Sequence, residues 1–130
     1  MKRKHFLLLT MLGLIVGSAF FSACEKVPAV KLTVDEIMLV GKWSAQDNPQ
    51  EFWRFDSDHA GETWDQSEDV QEGEGTHYNW SVTEDQLQID LYGEMGQHVY
   101  KDYTVTYQTR DSLVWKDLYG NSRSFTRSEI

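Results

Sequence analysis

Cys24 is the only cysteine in this 130-residue chain, and its position is as telling as its type. It follows a Lys2-Arg3-Lys4 head, an apolar run from Phe6 to Phe20 and the small residues Ser22 and Ala23. A charged head, a short apolar centre and small residues before a cut describe a secretory leader, and the run is too short and wrongly flanked for a stable membrane span. Other residues with chemical potential are carboxylates and imidazoles. Asp56-Ser57-Asp58-His59-Ala60-Gly61 begins like a calcium loop, with oxygens at alternate positions and glycine sixth. Position five is Ala60 and position twelve is Ser67, so the ligands a hard cation requires are missing and a polar hairpin is expected instead. Asp65, Glu68, Asp69, Glu72 and Glu74 read as a solvated acidic link. His59, His77 and His98 fall in separate segments without metal-ligand spacing, and no GxSxG elbow supports a nucleophilic serine. Any carboxylate pair chosen for acid-base work on sugars would be arbitrary, so neither catalysis nor a cofactor or metal is expected.

The elements that hold these residues follow from periodicity. Residues 25–32 carry Pro28 and no helical or strand period, which marks a tether. Thr33-Val34-Asp35-Glu36 fits a capping box with Thr33 as N-cap, ahead of a short helix over 34–40 that Gly41 stops. From Lys42 the pattern has a period of two. Strands are expected at 42–46, 51–56, 61–65, 76–83, 86–91, 98–108, 112–116 and 122–126, joined by turns rich in Asp, Asn and Gly. No connection is long enough for a helical crossover, so neighbours must be antiparallel and the sheet must curl to hide its edges. The expected fold is all-β, an up-and-down meander of about eight strands closed into a small barrel. The expected organisation is a leader at 1–23, a tether at 24–32 and one domain at 33–130. Loss of the leader leaves 107 residues, enough for one modest core.

Two sets of residues resemble known families. Phe21-Ser22-Ala23-Cys24 resembles the lipobox of bacterial lipoproteins, although Phe21 stands where leucine is usual. The resemblance implies cleavage before Cys24, a diacylglyceryl thioether on its sulfur and an acyl group, such as palmitate, on its new amine. With Cys24 so committed, no thiol remains for a disulfide, a zinc site or a nucleophile. Gly41-Lys42-Trp43 resembles the GxW motif of lipocalins and the wider calycins. Trp53-Arg54-Phe55, Trp80-Ser81-Val82, Tyr103-Thr104-Val105 and Phe125-Thr126-Arg127 are similar to lipocalin-like lipoproteins of Bacteroides-type bacteria. That likeness, over about residues 33 to 128, implies that Arg127 packs across Trp43 at the closed end of a barrel, a cation-π contact of about 0.5–2 kcal/mol. The chain is shorter than the classical members and lacks their cysteines.

Composition limits the partners. The leader holds three of the twelve basic residues and none of the twenty-one acidic ones, so its loss takes the net charge from −9 to −12. Nucleic acid is excluded as an expected partner, and an acidic surface repels anionic headgroups, leaving acyl chains to hold the membrane. Anchoring at the outer membrane is expected, with the periplasmic face favoured because Glu25-Lys26-Val27 supplies no acidic export run. The mature chain keeps fourteen of seventeen aromatics. Alternation groups Trp53 with Phe55, Tyr78 with Trp80 and Val82, Leu87 with Ile89 and Leu91, Tyr103 with Val105 and Tyr107, and Leu113 with Trp115 on inward faces. Two expectations follow. Trp53, Trp64, Trp80, Tyr103 and Trp115 could line a pocket for a small apolar or amphipathic ligand. Alternatively these side chains fill the barrel, and the acidic link at 66–75 meets an envelope partner.

Overall fold

The computed structural model describes residues 32–128. One helical turn, α1 (Glu36–Leu39), precedes eight strands: β1 (Gly41–Ala45), β2 (Glu51–Phe55), β3 (Ala60–Asp65), β4 (Thr76–Thr83), β5 (Gln86–Tyr92), β6 (His98–Gln108), β7 (Ser112–Lys116) and β8 (Ser122–Ser128). A 3-10 turn at Gln66–Glu68 lies in the β3–β4 link. Each strand pairs antiparallel with the next, and β8 returns to β1, giving a closed eight-stranded barrel. The strand limits fall within two residues of those the alternation predicts. Closure removes every sheet edge along the paired lengths, which an open meander of this size would expose.

The two ends differ. The turns at 46–50, 66–75, 93–97 and 117–121 crowd one end, here called the mouth, while those at 56–59, 84–85 and 109–111 lie at the other with α1. Several contacts seal that closed end. Val34 N donates to Glu84 O at 2.8 Å, Asp35 N donates to Gln108 Oε1 at 2.8 Å, and Gln108 Nε2 donates back to Asp35 O at 2.9 Å. The N-cap of α1 is Asp35 rather than Thr33: its carboxylate accepts from Ile37 N and Met38 N. The Gln108 clamp holds Asp35 in the extended conformation an N-cap needs, so the helix starts later and is shorter than the capping box predicts.

Gln108 reaches Asp35 because β6 carries a bulge. Val105 pairs with Trp115 and Tyr107 with Val114, so Thr106 is an extra residue. The bulge leaves Thr106 and Tyr107 both exposed, correcting the expectation that Tyr107 shares the inward face of Tyr103 and Val105.

Rings from opposite walls meet across the barrel. Trp115 of β7 touches Trp53 of β2 edge-on at 5.4 Å, stacks with Tyr103 at 4.7 Å and lies 4.2 Å from Phe125. Phe55 bridges Trp115, Tyr78 and Trp80 at 5.6–6.4 Å between centroids. Contact between β2 and β7 across the axis leaves no continuous channel. The centre of the barrel is a packed aromatic core, in the manner of small barrels whose side chains fill the interior.

Candidate functional site

The closed end is built around Trp43. Its indole Nε1 donates to Leu39 O at 2.8 Å, and the Arg127 guanidinium lies 4.3 Å from its ring centroid. Arg127 also donates to Val40 O at 3.0 Å, to Met38 O and to Arg110 O at 2.6 Å, so one side chain and one indole take up the Met38, Leu39 and Val40 carbonyls at the end of α1. Gly41 makes this possible: its φ is +136°, and a Cβ there would stand 2.1 Å from Arg127 Nη1.

Of the residues that could line a pocket, Trp53, Trp80, Tyr103 and Trp115 face the interior, and Trp64 does not. Trp53, Tyr103 and Trp115 form one cluster towards the mouth, while Trp80 joins it through Phe55 and donates from Nε1 to Ala60 O at 2.9 Å. Trp64 pairs with Phe52 on the outer face of β2 and β3 and stacks on that ring at 5.4 Å. Lys42 and Arg54 lie over it at 5.5 and 6.0 Å. Its burial comes from the acidic link folding over the outside of the barrel. Glu62, 1% exposed, accepts from Gly73 N and Gly75 N at 2.8 Å each, and Glu72 bonds Lys42 and Arg54 at 2.8 Å. Two of the link's features thus serve as its own fastening, and the segment is a fixed cover rather than a free acidic loop. Among the described residues, no three His, Cys, Asp or Glu side chains are grouped to hold a metal ion.

At the mouth, Arg123 points inward beside Trp115. It donates to Glu51 Oε2 at 2.7 Å and to Asp47 Oδ1 at 2.8 Å, and Glu51 Oε2 also accepts from Trp53 Nε1 at 2.8 Å. The hydrogen bonds that Arg123 donates to Glu51 keep the guanidinium firmly protonated, and the one it donates to Asp47 holds that carboxyl below the usual carboxylate range. This network floors a cleft of about 280 Å³ between β6 and the β7–β8 turn, with Tyr103, Trp115, Lys101, Leu118 and Tyr119 on its walls. Burial raises the Tyr103 phenol above its ordinary value. A larger concavity of about 770 Å³ runs under the acidic cover past Asp65, Glu68, His77 and Glu94, and a third of about 420 Å³ lies on the outside of β4 to β6. Among the described residues, five of the seven exposed large apolar side chains lie on the mouth turns and the strand ends beside them, where Met95, Tyr100, Leu118 and Tyr119 are 73–93% exposed and Val99 is 43% exposed; Ile37 and Tyr107 lie towards the closed end.

Sequence reasoning missed Arg123, Glu62 and Gln108. Alternation from Phe125 and Arg127 places Arg123 inward, and alternation from Gly61 and Thr63 places Glu62 with Trp64 on the outside. Gln108 left no comparable signal, because the bulge resets the period.

Fold and site together define a small antiparallel β-barrel with one end sealed by an arginine-tryptophan contact and the other left as an aromatic mouth. Compared with known proteins, the chain matches no family model, no curated protein and no solved structure.

Proposed function

We propose that this chain is a non-catalytic, lipid-anchored protein of the bacterial cell envelope, lipocalin-like in form, that works by meeting a partner at its barrel mouth rather than by carrying a ligand inside. The observation that carries the reading is the contrast between a core crossed by touching rings and a mouth bearing exposed Met95, Tyr100, Leu118 and Tyr119. Exposed apolar groups clustered at one end mark an interaction surface, and rings that touch across the barrel axis weigh against a long-chain lipid or a haem-like molecule in the interior. The acidic cover is a less suitable contact, since Glu62 and Glu72 are bonded to the barrel's own residues.

Lipidation at Cys24 fits this arrangement. Eight chain steps lead from Cys24 to Leu32, which packs at the closed end, so the tether spans at most about 29 Å and the mouth is the end left free. The outer membrane, on its periplasmic side, is the proposed location. Cys24→Ala should move the protein from the membrane to the soluble envelope fraction, as read by fractionation and immunoblot; retention in the membrane with the leader removed would refute the anchor.

A second reading is favoured by the stacked Tyr103–Trp115 pair: the 280 Å³ cleft is large enough for a small planar amphipathic molecule. Titration with such compounds should then quench tryptophan emission and raise the melting temperature. Leu118→Ser with Tyr119→Ser tests the first reading, since it should weaken association in envelope extracts while leaving Tm unchanged.

A further inference from the structure

We infer that β6 offers an open strand edge at the mouth, and that the partner docks there as an added β-strand whose side chains alternate between apolar and basic. The inference rests on the mouth-binding reading and specifies its site. Val105 N donates to Asp85 O at 2.7 Å, on the β5 side of the strand. Backbone groups alternate in direction along a strand, so those of Tyr103, Lys101 and Val99 also face β5, while those of Asp102 and Tyr100 face the opposite edge. On that edge β7 reaches only Lys116, opposite Thr104. β6 therefore runs past the end of β7, and among the described residues the outward N–H and C=O groups of Asp102 and Tyr100 have no strand beside them. The β7–β8 turn does not fill the gap, because the 280 Å³ cleft lies there, bounded on its far side by Asp117, Leu118 and Tyr119.

An unpaired edge next to an open groove is the geometry of strand addition, where backbone bonds give affinity and alternate side chains give selectivity. The side chains state the partner's chemistry. Those of an added strand that turn inward would meet Tyr103, the rim residues Val99 and Leu118 and, between Val99 and Tyr103, the hydrocarbon stem of Lys101, which suits apolar groups. Those that turn outward would lie beside Tyr100 and Asp102, whose carboxylate makes no hydrogen bond or ion pair among the described residues. A lysine or arginine opposite Asp102 answers that charge and the net −9 of the whole chain. A second copy of this chain fits less well. Two β6 edges related by a two-fold axis pair antiparallel, and β6 runs from the mouth to the closed end, so the closed ends would point in opposite directions and could not both face one membrane.

The test uses the full-length protein as its cells make it, in detergent micelles, with a capped nine-residue peptide of alternating lysine and valine as the probe. Amide exchange at Tyr100 and Asp102 should slow by about tenfold or more on adding the peptide. The same peptide N-methylated on alternate residues, which blocks its edge-facing donors without changing its side chains, should give no protection. Asp102→Pro removes an edge-facing N–H that takes no part in the β5 ladder and should abolish protection by the unmodified peptide. Equal protection by the N-methylated peptide, or none by the unmodified one at millimolar concentration, overturns strand addition. If that happens while Leu118→Ser with Tyr119→Ser still weakens envelope association, the mouth reading survives and only the strand edge is lost; if envelope association is also unaffected, both fall.

Discussion

Arg127 joins the two termini of the domain with one guanidinium, bonding three carbonyls and covering Trp43. Arg127→Ala should lower stability by about 2–4 kcal/mol in urea unfolding, because the ring contact is lost and half-buried carbonyls are left without donors. Arg127→Lys should recover little, since an ammonium cannot reproduce the planar fork that reaches Met38, Val40 and Arg110 together. Gly41→Ala should cost about 1–2 kcal/mol by the same assay, from its positive φ and the collision with Arg127. The Trp43–Arg127 contact was legible only through the resemblance of Gly41-Lys42-Trp43 and Phe125-Thr126-Arg127 to lipocalin motifs, which implied it. Trp64 is outside the barrel rather than inside it: its aromatic type suggested the interior, but the alternation Gly61, Glu62, Thr63, Trp64 places it on the outer face, where it lines the concavity under the acidic cover. Size and apolarity alone do not say which face a residue occupies when a loop can bury the outer one.

At the scale of elements, the acidic cover shows how a charged segment can be structural. Glu62→Ala should free it, speeding amide exchange at 66–75 and costing about 2 kcal/mol, as Gly73 and Gly75 lose their buried acceptor. The cover also gives stability a pH dependence. Its hydrogen bond to Lys42, with that to Arg54, holds Glu72 below the usual glutamate range, as Arg123 does for Asp47. A carboxylate with a depressed folded value contributes stability above its unfolded value and loses it as pH falls towards the folded one. Urea midpoints should therefore decline below about pH 4.5, by a small amount that salt reduces, because these groups are partly exposed. The strand limits were legible because period-two alternation survives wherever one face is buried. The bulge at Thr106 and the start of α1 were not. An extra strand residue leaves no mark in composition, and Asp35 rather than Thr33 caps the helix because Gln108, distant in sequence, holds it there.

For the molecule as a whole, the aromatic core sets an upper limit of pH. Burial drives the Tyr78 phenol well above its ordinary value. A group whose folded pKa is raised contributes fully below the unfolded value and loses that contribution as pH rises past it, so stability should drop above about pH 10, followed by Tyr absorbance together with circular dichroism. The last consequence comes from the seam between β1 and β8, where Trp43 meets Arg127. These partners are 84 positions apart in the chain, so the seam is among the most nonlocal contacts the fold can make and a slow one to form. A polypeptide threaded N-terminus first through a translocation pore cannot lock this seam until its eighth strand has crossed. On the proposed export route, the architecture that closes the finished barrel would thus keep the travelling chain unlocked for nearly its whole passage.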